Sequence, residues 1–205
     1  MSDVFVSYAR STEAQAKRVA DALKPESWEV NKETALVSYR QGRFEEAMER
    51  FSKAAELMES DYRSAGMVAS CARGLNDRET ELRAAEETVR RVERVIAEDR
   101  TNGAALAYGA IGLATLGEHQ RAREWMRRAT LIDPDNSIMR YNLACLAAGE
   151  LEDFDTALEM VKPFMAKANA YQLKHISNDP DMAGLREDPR FQAMIADAKA
   201  RLGIG

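Results

Sequence analysis

Residues Gly103 to Asn136 read GAALAYGAIGLATLGEHQRAREWMRRATLIDPDN, a 34-residue unit with helix-breaking punctuation at Gly117 and Pro134. Small residues fall at Ala110, Ala122 and Ala129, and large ones at Leu106, Leu113 and Met126. The spacing predicts two antiparallel helices joined by a tight turn at Gly117, where a positive φ is cheap only for Gly or Asn. Ala110 and Ala122 let the two backbones approach, and Leu113 and Met126 fill the seam between them. Asp133-Pro134 ends the second helix and starts the next unit, because Pro cannot continue a helix but suits a first turn.

The same grammar recurs on both sides. Upstream, ETALVSYRQGRFEEAMERFSKAAELME carries Gly42, Phe44, Ala47, Phe51 and Ala54 at matching spacings, with Tyr39 one place late. The next stretch supplies Val68, Ala69 and Ala72, with Asn76 where a Gly usually turns the chain, and its second helix, about 78–98, is longer than the pattern by about two turns. Downstream, SIMRYNLACLAAGELEDFDTALEMV supplies Leu143, Ala144, Phe154, Ala157 and Val161, with one extra residue in its turn near Glu152.

These units resemble tetratricopeptide repeats, and the resemblance covers about 28–167. It implies an all-α chain, an α-α superhelix of about four helix pairs, with the repeats in residues 25–168 and capping helices in 169–205. The cap expectation has its own residues. Asp179-Pro180 and Asp188-Pro189 each set an N-cap acceptor before a Pro at the first helical position, and Phe191, Met194, Ile195 and Ala198 form one apolar face. The NDPDM and LREDPRF strings resemble the tails of bacterial tetratricopeptide proteins whose repeats follow a signalling or cyclase-like domain.

Residues 2–24, SDVFVSYARSTEAQAKRVADALK, do not follow the repeat pattern. Val4-Phe5-Val6 reads as a short strand, Ser11-Thr12 as a break and helix cap, and 13–23 as a helix. The segment resembles the first strand and helix of a Toll/interleukin-1 receptor (TIR) domain. That domain needs well over a hundred residues, so residues 1–24 imply ancestry and not the NAD-cleaving activity of some bacterial members. A lone strand needs partners for its backbone. It pairs with a second copy in a homodimer, joins a helix, or docks on the repeats.

Bulk properties bound the rest. Hydrophobic residues at 45% and charged residues at 31% suffice for a soluble core. The net charge of -5 lacks the basic excess that phosphate neutralisation needs, so nucleic acid is not an expected partner. The basic cluster at Arg121, Arg123, Arg127 and Arg128 alternates with Glu118 and Glu124 and reads as a solvated helix face. Apolar runs fall short of the ~18 residues a membrane span needs. Cys71 and Cys145, without metal spacing, read as reduced small hydrophobes. With no signal peptide or membrane span visible, the cytoplasm is the expected location.

Catalytic constellations are missing from the sequence. His119 and His175 lie far apart without ligand-spaced neighbours, no phosphate loop or nucleophile elbow occurs, and adjacent acidic pairs such as Glu45-Glu46 point about 100° apart on a helix. No cofactor or metal is expected, and the chain reads as a non-enzyme. In a stack of helix pairs the first helix of each pair lines the inner face. Register then gives a partner-binding groove of Lys32, Leu36, Tyr39 and Arg40; Arg63, Gly66, Ser70 and Arg73; Ala104, Ala107, Ile111 and Ala114; and Ile138, Tyr141, Cys145 and Ala148. Chaperone-binding family members clamp a C-terminal carboxylate with a Lys and Asn set. Here Lys32 stands alone and Leu36 holds the Asn position, so that clamp is not expected. The sequence reads as an interaction scaffold or adaptor taking a protein or peptide of unknown identity, and the tail resemblance implies a setting in bacterial signalling. The alternatives are a catalytically inactive fragment of a TIR-type or cyclase-linked enzyme, and a self-assembly module built on residues 1–24.

Overall fold

The structure is a computed structural model, and it describes residues 27–178 and 180–204. The strand, helix and dimer expectations for residues 1–24, and the Asp179 cap, lie outside the described residues. Among the described residues every regular element is helical: α1 Trp28–Arg40, α2 Phe44–Leu57, α3 Tyr62–Gly74, α4 Arg78–Glu98, α5 Gly103–Thr115, α6 His119–Ile132, α7 Ser137–Gly149, α8 Phe154–Lys167 and α9 Ala170–Asn178, then a 3-10 helix Pro180–Leu185 and α10 Pro189–Leu202. None of these helices is long and apolar enough to cross a membrane.

Short polar residues place the helix starts. Asp61, Asn102 and Asn136 each accept from the backbone N–H three residues on, at 3.1, 2.9 and 3.0 Å, so α3, α5 and α7 begin where a side chain satisfies an orphan donor. Ser27 does the same for α1. The expectation that Pro134 opens the next helix is corrected here. α7 starts at Ser137 behind the Asn136 cap, and Pro134 lies in the connecting loop.

The turns inside the pairs share one design. The second residue after each of the first three inner helices takes a left-handed conformation: Gly42 at φ 74°, Asn76 at 59° and Gly117 at 82°. The next N–H reaches back five residues, from Arg43 to Ser38 O at 3.0 Å, Asp77 to Ala72 O at 2.9 Å and Glu118 to Leu113 O at 2.8 Å. That six-residue closure ends one helix and reverses the chain for the next. The fourth turn carries the expected extra residue. Leu151 is tucked in as a buried side chain, Asp153 N–H closes on Ala147 O at 2.8 Å, and the left-handed position falls on Glu152 at φ 50°.

The chain divides into two compact units, one up to Glu87 and one from Thr88 on. In the first, α1 packs on α2 and α2 on α3. Its apolar centre is Ala35, Ala47, Phe51 and Cys71, with Leu36, Phe44, Met48 and Val68 against it. In the second, α5 pairs with α6 and α7 with α8. The small residues Ala110, Ala122, Ala129 and Ala144 are fully buried beside Leu106, Leu113 and Leu143, as the repeat spacing predicts. Trp125 is also buried, and its ring fills the space that Gly109 leaves on α5.

The C-terminal segment closes the second unit. Met182 and Leu185 of the 3-10 helix are fully buried and pack toward α7, while α10 lies on α8 with Phe191 buried. Asp188 caps α10 with Pro189 at its first position. Arg190 donates to Asp188 and, at 2.7 Å, to Asp155 of α8. The Arg190 hydrogen bonds hold the Asp188 carboxyl down at about 2. Arg201 donates to the Met165 and Ala168 carbonyls at 3.1 and 2.7 Å, which satisfies acceptors at the end of α8.

Candidate functional site

In the first unit the expected groove residues lie on α1 and α3, and their environments differ. Lys32 Nζ sits 4.9 Å from the Trp28 ring centroid and 3.9 Å from Asp61 Oδ1. Arg63 is exposed and its guanidinium lies 5.9 Å from the Tyr62 ring centroid. Trp28, Lys32, Tyr62 and Arg63 line a shallow pocket of about 190 Å³ together with Asp61. Asp61 is occupied, because its carboxylate also caps α3 and accepts from Ser64 Oγ at 2.6 Å. The pocket therefore joins two aromatic faces to two cations, a lining suited to a side chain with an apolar body and a polar end.

The remaining residues of this set are more committed to the fold. Leu36 and Tyr39 are half-buried against the apolar centre, and Tyr39 meets Phe44 edge-on at 5.5 Å. Ser70 Oγ donates to Gly66 O at 3.3 Å. Arg73 Nε donates to Glu81 Oε1 at 2.7 Å, and Arg78 donates to the other oxygen at 2.7 Å. Burial pushes the Glu81 carboxyl up, but the hydrogen bonds and charges of Arg78 and Arg73 outweigh it and leave the group below its usual range. Arg73 thus ties α3 to the start of α4. Arg40 is exposed. A larger pocket, about 590 Å³, is bordered by Asn31 and the polar row Glu46, Glu49, Arg50 and Lys53, and contains none of the expected groove residues.

In the second unit four of the expected groove residues are corrected. Ala107 is 4% and Tyr141 8% exposed, so neither lines an open surface. Tyr141 stacks on Phe164 of α8 with centroids 4.7 Å apart and planes 24° apart. Ala114 and Ala148 are buried as well. On α5 only Ala104, Tyr108 and Ile111 stay partly accessible. On α7 the matching row is Ile138, Asn142 and Cys145, with Ile138 64% exposed. Both rows repeat at i, i+4 and i+7, the spacing of one helix face. α5 and α7 pack on each other, and neither row contains a charge.

Sequence register missed Tyr108 and Asn142 by one residue. A step of one on a helix turns the side chain by about 100°, enough to move it from solvent into the core. The signal was present: Tyr108 and Asn142 are polar-tipped residues inside otherwise Ala, Gly and Leu-rich helices, and such residues keep their polar ends in water.

The chemistry-bearing side chains do not converge. His119 is exposed on the first turn of α6. Neither cysteine is in a disulfide; Cys71 is buried and Cys145 partly accessible. Burial pushes the Cys71 thiol up to about 12, the value of an inert core cysteine. Among the described residues no group of three or more His, Cys, Asp or Glu is placed to hold a metal ion.

No family model and no curated protein matches the chain. Solved structures similar to it include MamA, 17% identical over 74% of this chain and 84% of that one, with a TM-score of 0.43. Another is YrrB, described as a TPR protein with an unusual peptide-binding site, 16% identical over 92% of this chain and 99% of that one, with a TM-score of 0.33. Likeness at this level carries no functional argument, so the site is read from its own residues.

Proposed function

We propose that this chain is an interaction module that holds a peptide or a segment of a partner protein, and that its work is binding rather than catalysis. The repeats are taken to span residues 25–168 and the cap 169–205. The observation that carries the reading is the uncharged row Ile138, Asn142 and Cys145 beside Tyr108 and Ile111, with Ile138 64% exposed. An isoleucine left in water contributes nothing to folding, whereas a guest that covers it recovers about 25 cal/mol per Å² of apolar surface. Rows spaced at i, i+4 and i+7 on two packed helices suit an amphipathic helix or an extended segment laid across them. The first unit carries a candidate contact of its own, the Trp28–Lys32–Tyr62–Arg63 pocket, whose cations favour an acidic side chain. Two cysteines kept as thiols accord with a reducing compartment, and we place the protein in the cytoplasm.

The test is selection of peptides from a displayed library against the full chain, followed by affinity measurement with Ile138→Asp and Tyr108→Ala. Both positions are accessible, so far-UV circular dichroism should stay as in the wild type. The reading expects each variant to weaken the selected peptides by at least about tenfold, the loss of a central contact. Unchanged affinity in both variants overturns it.

A further inference from the structure

Asn102-Gly103 is the single Asn-Gly pair in the sequence. Gly carries no Cβ, so the nitrogen of such a pair approaches the preceding carboxamide with the least hindrance. The reaction is self-contained. The Gly103 nitrogen loses its proton and bonds to Cγ of Asn102, the carboxamide C–N bond breaks, and ammonia leaves with a proton. Water then opens the resulting succinimide at either carbonyl. The sum is asparagine plus water giving aspartate or isoaspartate plus ammonia.

We propose that Asn102 is a deamidation site that the folded start of α5 holds shut and that opening of α5 releases. The attacking Gly103 nitrogen and the Asn102 carboxamide oxygen are both engaged elsewhere. Asn102 Oδ1 accepts from Ala105 N–H at 2.9 Å, which turns the carboxamide along the helix. The Gly103 N–H donates to Thr101 O at 3.0 Å, and Asn102 O accepts from Leu106 N–H at 3.2 Å. Gly103 is also hemmed in: a Cβ there would lie 3.2 Å from Ala129 O and 3.4 Å from Asp133 Cβ, so its peptide has little room to swing. Asn136-Ser137 supplies an internal reference, since Asn136 caps α7 through the same bond to Met139 N–H at 3.0 Å but is followed by a side chain.

The two products have opposite consequences. Aspartate keeps an oxygen for the Ala105 N–H and adds negative charge at a helix N-terminus, so the cap survives. Isoaspartate routes the main chain through the former side chain, lengthens the backbone by one carbon and removes the cap. The lesion is therefore self-sealing in one branch and disruptive in the other, and its rate reads out how often α5 opens.

The experiment incubates the purified full chain at mildly alkaline pH across a denaturant series and follows residues 102 and 136 by peptide mapping with isoaspartate detection. In full denaturant residue 102 converts before residue 136. In buffer conversion at 102 is slower by at least about tenfold, and the rate rises with the unfolded fraction. The isolated isoaspartate form melts below the wild type, while Asn102→Asp melts at or above it. Equal rates in buffer and denaturant, conversion at 136 ahead of 102 in denaturant, or an isoaspartate form as stable as the wild type each overturn the proposal.

Discussion

Gly109→Ala tests the packing of the second unit at its tightest point. In an exposed helix the substitution gains about 1 kcal/mol, because Ala gives up less backbone entropy than Gly. Here a Cβ would stand 2.3 Å from Trp125 Cζ3, 2.6 Å from Trp125 Cε3 and 2.8 Å from Val92 Cγ1. Trp125 is 7% and Val92 0% exposed, so neither can swing aside into solvent. Forcing a methyl into such a site costs about 1–3 kcal/mol, and with three contacts inside van der Waals range the upper half applies. The propensity gain subtracts from that, leaving a net loss of about 1–2 kcal/mol. With a urea slope near 2 kcal/mol per molar, the midpoint falls by about 0.5–1 M. A double-mutant cycle isolates the cause. Trp125→Leu alone loses stability by leaving a cavity, but it makes room for the new methyl. The pair Gly109→Ala with Trp125→Leu is then less damaging than the sum of the singles by about 1 kcal/mol or more. A stabilised Gly109→Ala, or strict additivity in the cycle, would refute the packing of Trp125 over Gly109.

Glu152→Gly removes a Cβ from a left-handed position at φ 50° and should raise stability by about 0.5–1 kcal/mol, read by thermal unfolding. Ser38→Ala should gain about 1 kcal/mol by the same assay, because Ser38 is fully buried and its hydroxyl has no partner among the described residues. Iodoacetamide at pH 8 should modify partly accessible Cys145 in the native protein well before Cys71, whose thiol is buried and pushed up to about 12; peptide mapping decides. Glu81 titrates lower in the folded chain than its usual range, so the ion pairs with Arg73 and Arg78 stabilise fully above that range and are lost as pH falls through the depressed value. Unfolding curves from pH 6 down to pH 3 should therefore converge for wild type and Glu81→Gln, and parallel curves would contradict the network.

How much of this was legible in the chain follows from what each residue has to do. The turns were readable because a left-handed residue narrows the choice to Gly or Asn, and Gly42, Asn76 and Gly117 obey that rule. The fourth turn was found by counting alone, since nothing in Glu152 itself announces a positive φ. The long α4 and the Asp188-Pro189 start of α10 were likewise fixed by local chemistry. The fit of Trp125 onto Gly109 was not readable, because it joins residues sixteen apart in sequence, on two helices, through shape and not through pattern. The middle member of each accessible row, Tyr108 and Asn142, was missed by one residue for a related reason. α5 is apolar on every side, so its hydrophobic pattern has almost no direction, and Tyr108 is the lone side chain that marks the wet face.

Site-specific photocrosslinking tests the central claim most directly. A benzophenone side chain is placed at 108, at 138, and at exposed position 127 on α6, and each chain is irradiated with a peptide selected by the wild type. The account predicts crosslinks from positions 108 and 138 and none from 127. Crosslinks from position 127 with none from 108 or 138 would contradict it.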